Sequence, residues 1–335
     1  AELHYCISFM EKLLSDCLCK NESIMVPIIK FQCKQKKVLD AHKLFLKVRR
    51  SFGILPTLEI HCVLIDGLLE FHHKVLALEL FLDLKKAGCA PDVSIYNLLL
   101  DYLAKSGMID ELFELYEEMR HRGCTPDTVT HNILISGLVK AGDVYKAIDL
   151  YYDMVSGGFS PTPCTYGPLL DGLLKLEDLD GAKKLLEEMI DYGCLPNSAI
   201  YNILINGFGK AGDVENAISY FNRMLREGIR PDLKSYTILV DCLCIAGKVE
   251  DATYYFEELK SSGLDPDLVS YNLMINGLGR WGKIHEALAL FSEMRSRGIS
   301  PNLYTYNSLI LNLGVLGMLE EAGKMFEELK VAGLE

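Results

Sequence analysis

Proline recurs at Pro56, Pro91, Pro126, Pro161, Pro196, Pro231, Pro266 and Pro301, each 35 residues after the last. A spacing held this long makes the chain a stack of near-identical units, because one globular core has no reason to repeat at a fixed interval. Internal periods of this length belong to solenoids. Counting each repeat from the second residue after its proline gives 58–92, 93–127, 128–162, 163–197, 198–232, 233–267, 268–302 and a truncated 303–335. Residues 22–57 fit as a looser, degenerate repeat with Ala41, Phe45, Gly53 and Pro56, and residues 1–21 read as a divergent or partial one.

The repeat 198–232 shows what each unit folds into. Tyr201, Leu204, Ile205 and Phe208 follow the i, i+3, i+4, i+7 spacing of an amphipathic helix. Lys210-Ala211-Gly212-Asp213 interrupts it, with glycine ending one helix and Asp213 able to cap the next. The second helix carries Ala217, Phe221 and Met224 on its apolar side, and Gly228 and Pro231 close the unit. Other repeats keep the alanine at 77, 147, 182, 252, 287 and 322, with Leu112 the exception. They keep an aromatic at Phe81, Tyr116, Tyr151, Phe256, Phe291 and Phe326, predicted to lie in the core, with Leu186 the exception. Glycine is invariant at 88, 123, 158, 193, 228, 263, 298 and 333, where a left-handed residue is needed after the second helix. A single hairpin cannot bury its apolar face, so neighbours must stack. The fold class is all-α: an α-solenoid, wound as a right-handed superhelix, of about nine helix-turn-helix repeats.

Composition narrows the function classes. Half of the residues are apolar, yet polar residues break every long apolar run, so no membrane span is expected. The 11 cysteines include no CxxC pair. Cys17/Cys19 and Cys242/Cys244 have the C-x-C spacing, which carries no strong metal meaning, and Cys89, Cys124 and Cys194 share one place expected to be a small buried hydrophobe. Free thiols point to a reducing compartment, and neither metal nor cofactor is expected. The chain begins at Ala1 and stops inside a repeat at Glu335, so we expect a segment of a longer array whose targeting peptide lies elsewhere. The net charge of −12 argues at first against a polyanionic partner.

Repeats such as LVSYNLMINGLGRWGKIHEALALFSEMRSRGISPN (268–302) resemble the pentatricopeptide repeat of the P class. The match lies in Y-N near the start, K/R before A/W-G, the central alanine, F-x-x-M and the closing G-x-x-P-[DN]. The resemblance is strong over 58–335 and weak over 22–57. The nearest rival is the tetratricopeptide repeat, a protein-interaction scaffold with a period of about 34 residues. Its W…L-G…Y signature is absent, and the one tryptophan, Trp281, lies in a turn.

The resemblance implies sequence-specific binding of single-stranded RNA, one nucleotide per repeat, with two or three side chains reading each base. It assigns base reading to the fifth and last residues of a repeat. The fifth places from 93 onward are Asn97, Asn132, Gly167, Asn202, Thr237, Asn272 and Asn307, and the last places are Asp127, Thr162, Asn197, Asp232, Asp267 and Asn302. The second place packs beside the base, as Val129 and Val269 would. It further implies a plant organelle, chloroplast or alternatively mitochondrion, and a part in RNA stabilisation, processing or translation. The family's pairings give a preference of 5′-U-Y-A-U-G-Y-Y-3′ for repeats 93–127 through 303–335. The protein is expected to act as a monomer, without a membrane.

The residues support an RNA-facing surface independently of that likeness. The fifth, ninth and thirteenth places lie four apart and form one helical stripe, such as Asn202, Asn206 and Lys210. Amides suit base edges, and the thirteenth-place cations Lys105, Lys140, Lys175, Lys210 and Arg280 suit phosphates. Asp or Asn after the proline is also a good helix N-cap, so Asp127 or Asp232 has a structural reading beside the functional one. Over the first fifteen residues of the repeats from 93 on, six bases meet four acids, and pairs such as Glu117-Glu118 and Glu257-Glu258 put the acid excess on second helices. An acidic outer wall and a mildly basic inner one are the result. Repeat 58–92 has Cys62, with Glu70 in the cation's place and an expectedly exposed His72-His73 at the turn, so it should bind poorly. Ile245 and Val315 also replace the cation. Repeat 163–197 has Pro168, expected in the first helical turn, and Gly167 offers its base no side chain. No deaminase signature and no separate carboxylate or metal cluster suggests catalysis, so the segment is expected not to be an enzyme.

Overall fold

The computed structural model describes residues 25–52 and 57–334, and the readings of 1–21, Gly53 and Pro56 lie outside them. Among the described residues there are helices and no strands. The chain divides into two compact parts, 1–160 and 161–335.

The first part carries four hairpins: α1 (Met25–Lys34) with α2 (Val38–Phe52), α3 (Leu58–Glu70) with α4 (Lys74–Lys86), α5 (Val93–Lys105) with α6 (Ile109–His121), and α7 (Thr128–Lys140) with α8 (Val144–Ser156). The second carries five: α9 (Pro163–Lys175) with α10 (Leu179–Asp191), α11 (Ser198–Lys210) with α12 (Val214–Arg226), α13 (Leu233–Ile245) with α14 (Val249–Ser261), α15 (Leu268–Arg280) with α16 (Ile284–Ser296), and α17 (Leu303–Val315) with α18 (Leu319–Val331). The molecule is an all-α solenoid of helical repeats. Within each part the first helix of a hairpin packs on its own second helix and on the first helix of the next hairpin.

The periodic residues behave as their spacing requires. Tyr201, Leu204, Ile205 and Phe208 are fully buried, as are Ala217, Phe221 and Met224 of the following helix. The aromatic of a second helix meets the tyrosine of the next first helix edge-on, with centroids 5.6 Å apart for Phe81–Tyr96 and 5.1 Å for Phe221–Tyr236. Phe256–Tyr271 and Phe291–Tyr306 repeat the pair at 5.4 and 5.5 Å. Such pairs add about 1 kcal/mol each beyond burial, and they join each hairpin to its successor. Phe326 departs from its predicted core position, being 47% exposed.

Two further expectations are corrected. Helix α9 begins at Pro163, so Pro168 stands in its second turn, removing the amide that would bond the Cys164 carbonyl one turn back. Cys89, Cys124 and Cys194 are half-buried rather than buried.

Candidate nucleic-acid interface

First helices stack as a continuous layer within each part, so residues at one repeat place line up from hairpin to hairpin. The last residue of each repeat turns out to be the N-cap of the next repeat's first helix. Asp92, Asp127, Asn197, Asp232, Asp267 and Asn302 all accept a hydrogen bond from the backbone N–H three residues on. Thr162 caps α9, its own N–H donating to Thr165 Oγ1 at 3.0 Å.

Capping fixes where these side chains stand, and the fifth-place residues meet them there. Asn97 Nδ2 donates to Asp127 Oδ1 at 3.2 Å, and Asn272 Nδ2 to Asn302 Oδ1 at 3.4 Å. Asn202 stands near Asp232 at the corresponding place. Burial pushes the Asp127 carboxyl up, but donation from Thr130 N–H, the Thr130 hydroxyl and Asn97 outweighs it and holds the group below its ordinary range. Asp232 is likewise pushed up by burial and brought lower by Ser235 and Asn202. Both are therefore charged at neutral pH and can only accept. At Asp127 and Asp232 the capping reading is the one the structure shows.

The remaining fifth-place residues differ from repeat to repeat. Asn132 and Thr237 are half-buried and Asn307 is exposed. Gly167 is buried, and a Cβ there would make only ordinary contacts, at 3.6 Å from Ile203 Cδ1 and 3.7 Å from Ile200 Cδ1. Every second-place residue from 94 to 304 is exposed, Val129 at 53% and Val269 at 55%. Tyr304 occupies that place in repeat 303–335, its ring half exposed and its hydroxyl accepting from Asn276 Nδ2 at 3.3 Å. Sequence reasoning passed over Tyr304, although its position alone marks it as the aromatic member of the stripe.

The thirteenth-place cations fall into two groups. Lys105 is paired with Asp101 at 2.6 Å and Lys175 with Asp171 at 2.7 Å, both one turn back on the same helix. Lys140, Lys210 and Arg280 have no acid one turn back, where Ser136, Asn206 and Asn276 stand instead. Within the second part, Asp171, Lys175, Asn206 and Lys210 line one shallow depression between α9 and α11.

The sequence signature described as the PPR repeat family matches residues 91–140, 128–175, 196–245, 240–280 and 266–314, and a PPR repeat signature matches 164–194 and 304–334. These spans cover well over half of the chain. It belongs to the PPR repeat family. That membership decides between the two repeat families weighed from the sequence. The crystal structure of PPR10 from maize is similar, at 23% identity and a TM-score of 0.59, over 97% of this chain and 56% of that one. PPR10 in complex with an 18-nt psaJ RNA element matches at 24% identity and a TM-score of 0.54, over 96% of this chain and 57% of that one. The chain thus spans a little over half the length of these structures, and the likeness is one of fold. No curated protein sequence matches it.

For a PPR array the other surfaces offer little competing chemistry. Among the described residues no group of three or more His, Cys, Asp or Glu side chains could hold a metal ion, and no helix is long and apolar enough to cross a membrane. The Cys242 and Cys244 thiols are pushed up to about 12 by burial, which makes them packing groups rather than nucleophiles or ligands.

Proposed function

We propose that this PPR array binds single-stranded RNA sequence-specifically, one nucleotide per repeat, through the paired fifth- and last-place residues. The observation that carries the reading is the contact between those two places, seen as Asn97–Asp127 and Asn272–Asn302. A polar pair held by a helix cap, beside an exposed second-place side chain, offers a base both an edge to bond and a surface to lie on. That PPR10 is found in complex with an RNA element supports the same reading.

Repeats 93–127 through 303–335 read 5′-U-Y-A-U-G-Y-Y-3′, with the amino end toward the RNA 5′ end. Lys140, Lys210 and Arg280 supply phosphate contacts, to which Lys105 and Lys175 contribute less because their aspartates already neutralise them. The protein acts as a monomer in a chloroplast or mitochondrion, where occupancy of a transcript stabilises it, guides its processing or sets its translation. Selection from a randomised RNA pool tests the pairing: Thr237→Asn should move the nucleotide chosen by repeat 233–267 from guanine to uracil. Unchanged selection at that nucleotide would sink it.

A further inference from the structure

At three junctions a third side chain meets the fifth-place residue, and it comes from the neighbouring repeat. Thr130, third residue of repeat 128–162, lies 2.7 Å from Asn97 Oδ1 and 2.9 Å from Asp127 Oδ1. Thr305 lies 2.6 Å from Asn272 Oδ1 and 3.0 Å from Asn302 Oδ1. Ser270 lies 3.1 Å from Thr237 Oγ1 and donates to Asp267 Oδ1 at 2.7 Å. Thr130, Ser235 and Thr305 are fully buried and Ser270 is 1% exposed, so these hydroxyls act through their neighbours and never meet solvent.

The third place also tracks the fifth place of the repeat before it. Asn97, Asn132, Asn202, Thr237 and Asn272 are followed by Thr130, Thr165, Ser235, Ser270 and Thr305. Where the fifth place is Val26, Cys62 or Gly167, the third place that follows is Ile60, Ile95 or Ile200. A polar reader brings a hydroxyl and a non-polar one brings isoleucine, without exception across eight junctions.

We propose that the third-place hydroxyl of the following repeat is a positioning residue that holds the fifth-place side chain against the last-place cap, and that junctions carrying isoleucine are the steps of weakest base selection. The proposal rests on the RNA-reading function above and adds to it a residue that no repeat supplies for itself. At the Asn97 junction, the hydroxyl shares its one proton between Asn97 Oδ1 and Asp127 Oδ1, while the carboxylate takes one proton of Nδ2. The remaining Nδ2 proton is then what a base meets, so the reader is a donor and favours a base with an acceptor on its pairing edge. Without the hydroxyl the Asp127 carboxylate still keeps Nδ2 turned toward it, but Oδ1 loses its donor and the side chain is held at one end only. Asn202 shows the cost of losing the clamp. Ser235 donates to Asp232 Oδ1 at 2.9 Å, and the buried Asn202 Oδ1 has no partner.

The test compares selection profiles from a randomised single-stranded RNA pool for the full chain and its variants, with thermal melts of each. Thr130→Val should reduce base preference about five- to tenfold, the weight of one net hydrogen bond, at the nucleotide of repeat 93–127 only. Thr130→Ser should keep it. A hydroxyl that serves only stability would instead lower affinity for every RNA alike and leave the profile unchanged, which overturns the proposal. If Thr130→Val does not fold, the gain-of-function pair decides. Gly167→Asn with Ile200→Thr should give repeat 163–197 a preference that Gly167→Asn alone does not give, and equal profiles for the two overturn the proposal. A wild-type chain that binds no RNA overturns the functional reading and this one with it. A wild-type chain that selects RNA, with Thr130→Val selecting identically, overturns this one alone.

Discussion

Three non-glycine residues, Lys36, His72 and Glu177, hold left-handed φ angles of 59°, 62° and 59°. All sit at the fifteenth place of a repeat, where Gly107, Gly142, Gly212, Gly247, Gly282 and Gly317 stand elsewhere. A side chain in that conformation costs about 1–2 kcal/mol, part of which a glycine returns as chain entropy in the unfolded state. Glu177→Gly should therefore raise stability by about 0.5–1 kcal/mol, read as a rightward shift of the urea midpoint with unchanged slope. A leftward shift would mean that Glu177 makes a compensating contact. At this scale the sequence was a good guide to backbone. Its glycine pattern marked most helix ends, and it showed His72 as the odd residue at its turn. What it hid were relations between repeats: the Thr130 and Thr305 hydroxyls look like ordinary helix-start residues until the stack brings them against Asn97 and Asn272.

Between elements, the fit of one first helix on the next depends on a glycine facing a larger side chain. A Cβ on Gly209 would lie 2.6 Å from Cys242 Cβ, one on Gly277 2.7 Å from Cys244 Cβ, and one on Gly207 2.6 Å from Leu174 Cβ. In each pair one partner is the tenth residue of a repeat and the other the twelfth of the repeat before. The C-x-C spacing of Cys242 and Cys244 follows directly, since the two sulfurs fill the gaps left by glycines of the preceding and following repeats. Gly277→Ala should cost about 1–3 kcal/mol by overpacking, and Cys244→Gly in the same chain should return much of it. Failure of the second change to compensate would show the contact is not the cause.

Second helices are tied by a separate motif. Glu118 accepts from Lys85 at 2.9 Å and Arg122 at 2.8 Å, and Glu293 from Lys260 at 3.3 Å, Arg297 at 3.1 Å and Tyr271 at 2.9 Å. Burial pushes both carboxyls up, and these donors bring them below the ordinary 4.5. A depressed carboxylate stabilises at pH above its unfolded value and loses that contribution as pH falls through the folded one. Thermal stability should thus drop below about pH 5, and Lys85→Met with Lys260→Met should flatten the drop while leaving its start in place. The acidic pairs were visible in sequence as charge on second helices. Their partners were not, because Lys85 and Lys260 reach them from the preceding repeat, 33 residues away.

At the scale of the whole chain, the net charge of −12 and the few cations on first helices without an acid one turn back would set how the proposed RNA is held. With Lys140, Lys210 and Arg280 as the principal phosphate contacts, affinity should fall only gently with salt, with a slope near −2 on logarithmic axes. A much steeper slope would mean that phosphate neutralisation, rather than base contact, dominates. The fold and the alignment of the fifth- and last-place residues were legible from the 35-residue period, because a repeat transfers the meaning of one hairpin to all the others. Places where the repeats differ were less legible, since Gly167, Thr237 and Asn307 acquire their surroundings from neighbours. The most direct measurement is selection of the unmodified chain against a randomised single-stranded RNA pool. The account predicts enrichment of 5′-U-Y-A-U-G-Y-Y-3′ in that orientation, sharpest at the nucleotides of repeats 93–127 and 268–302 and weakest at that of 163–197. Uniform recovery of all sequences, or strong selection at the nucleotide facing Gly167, would contradict it.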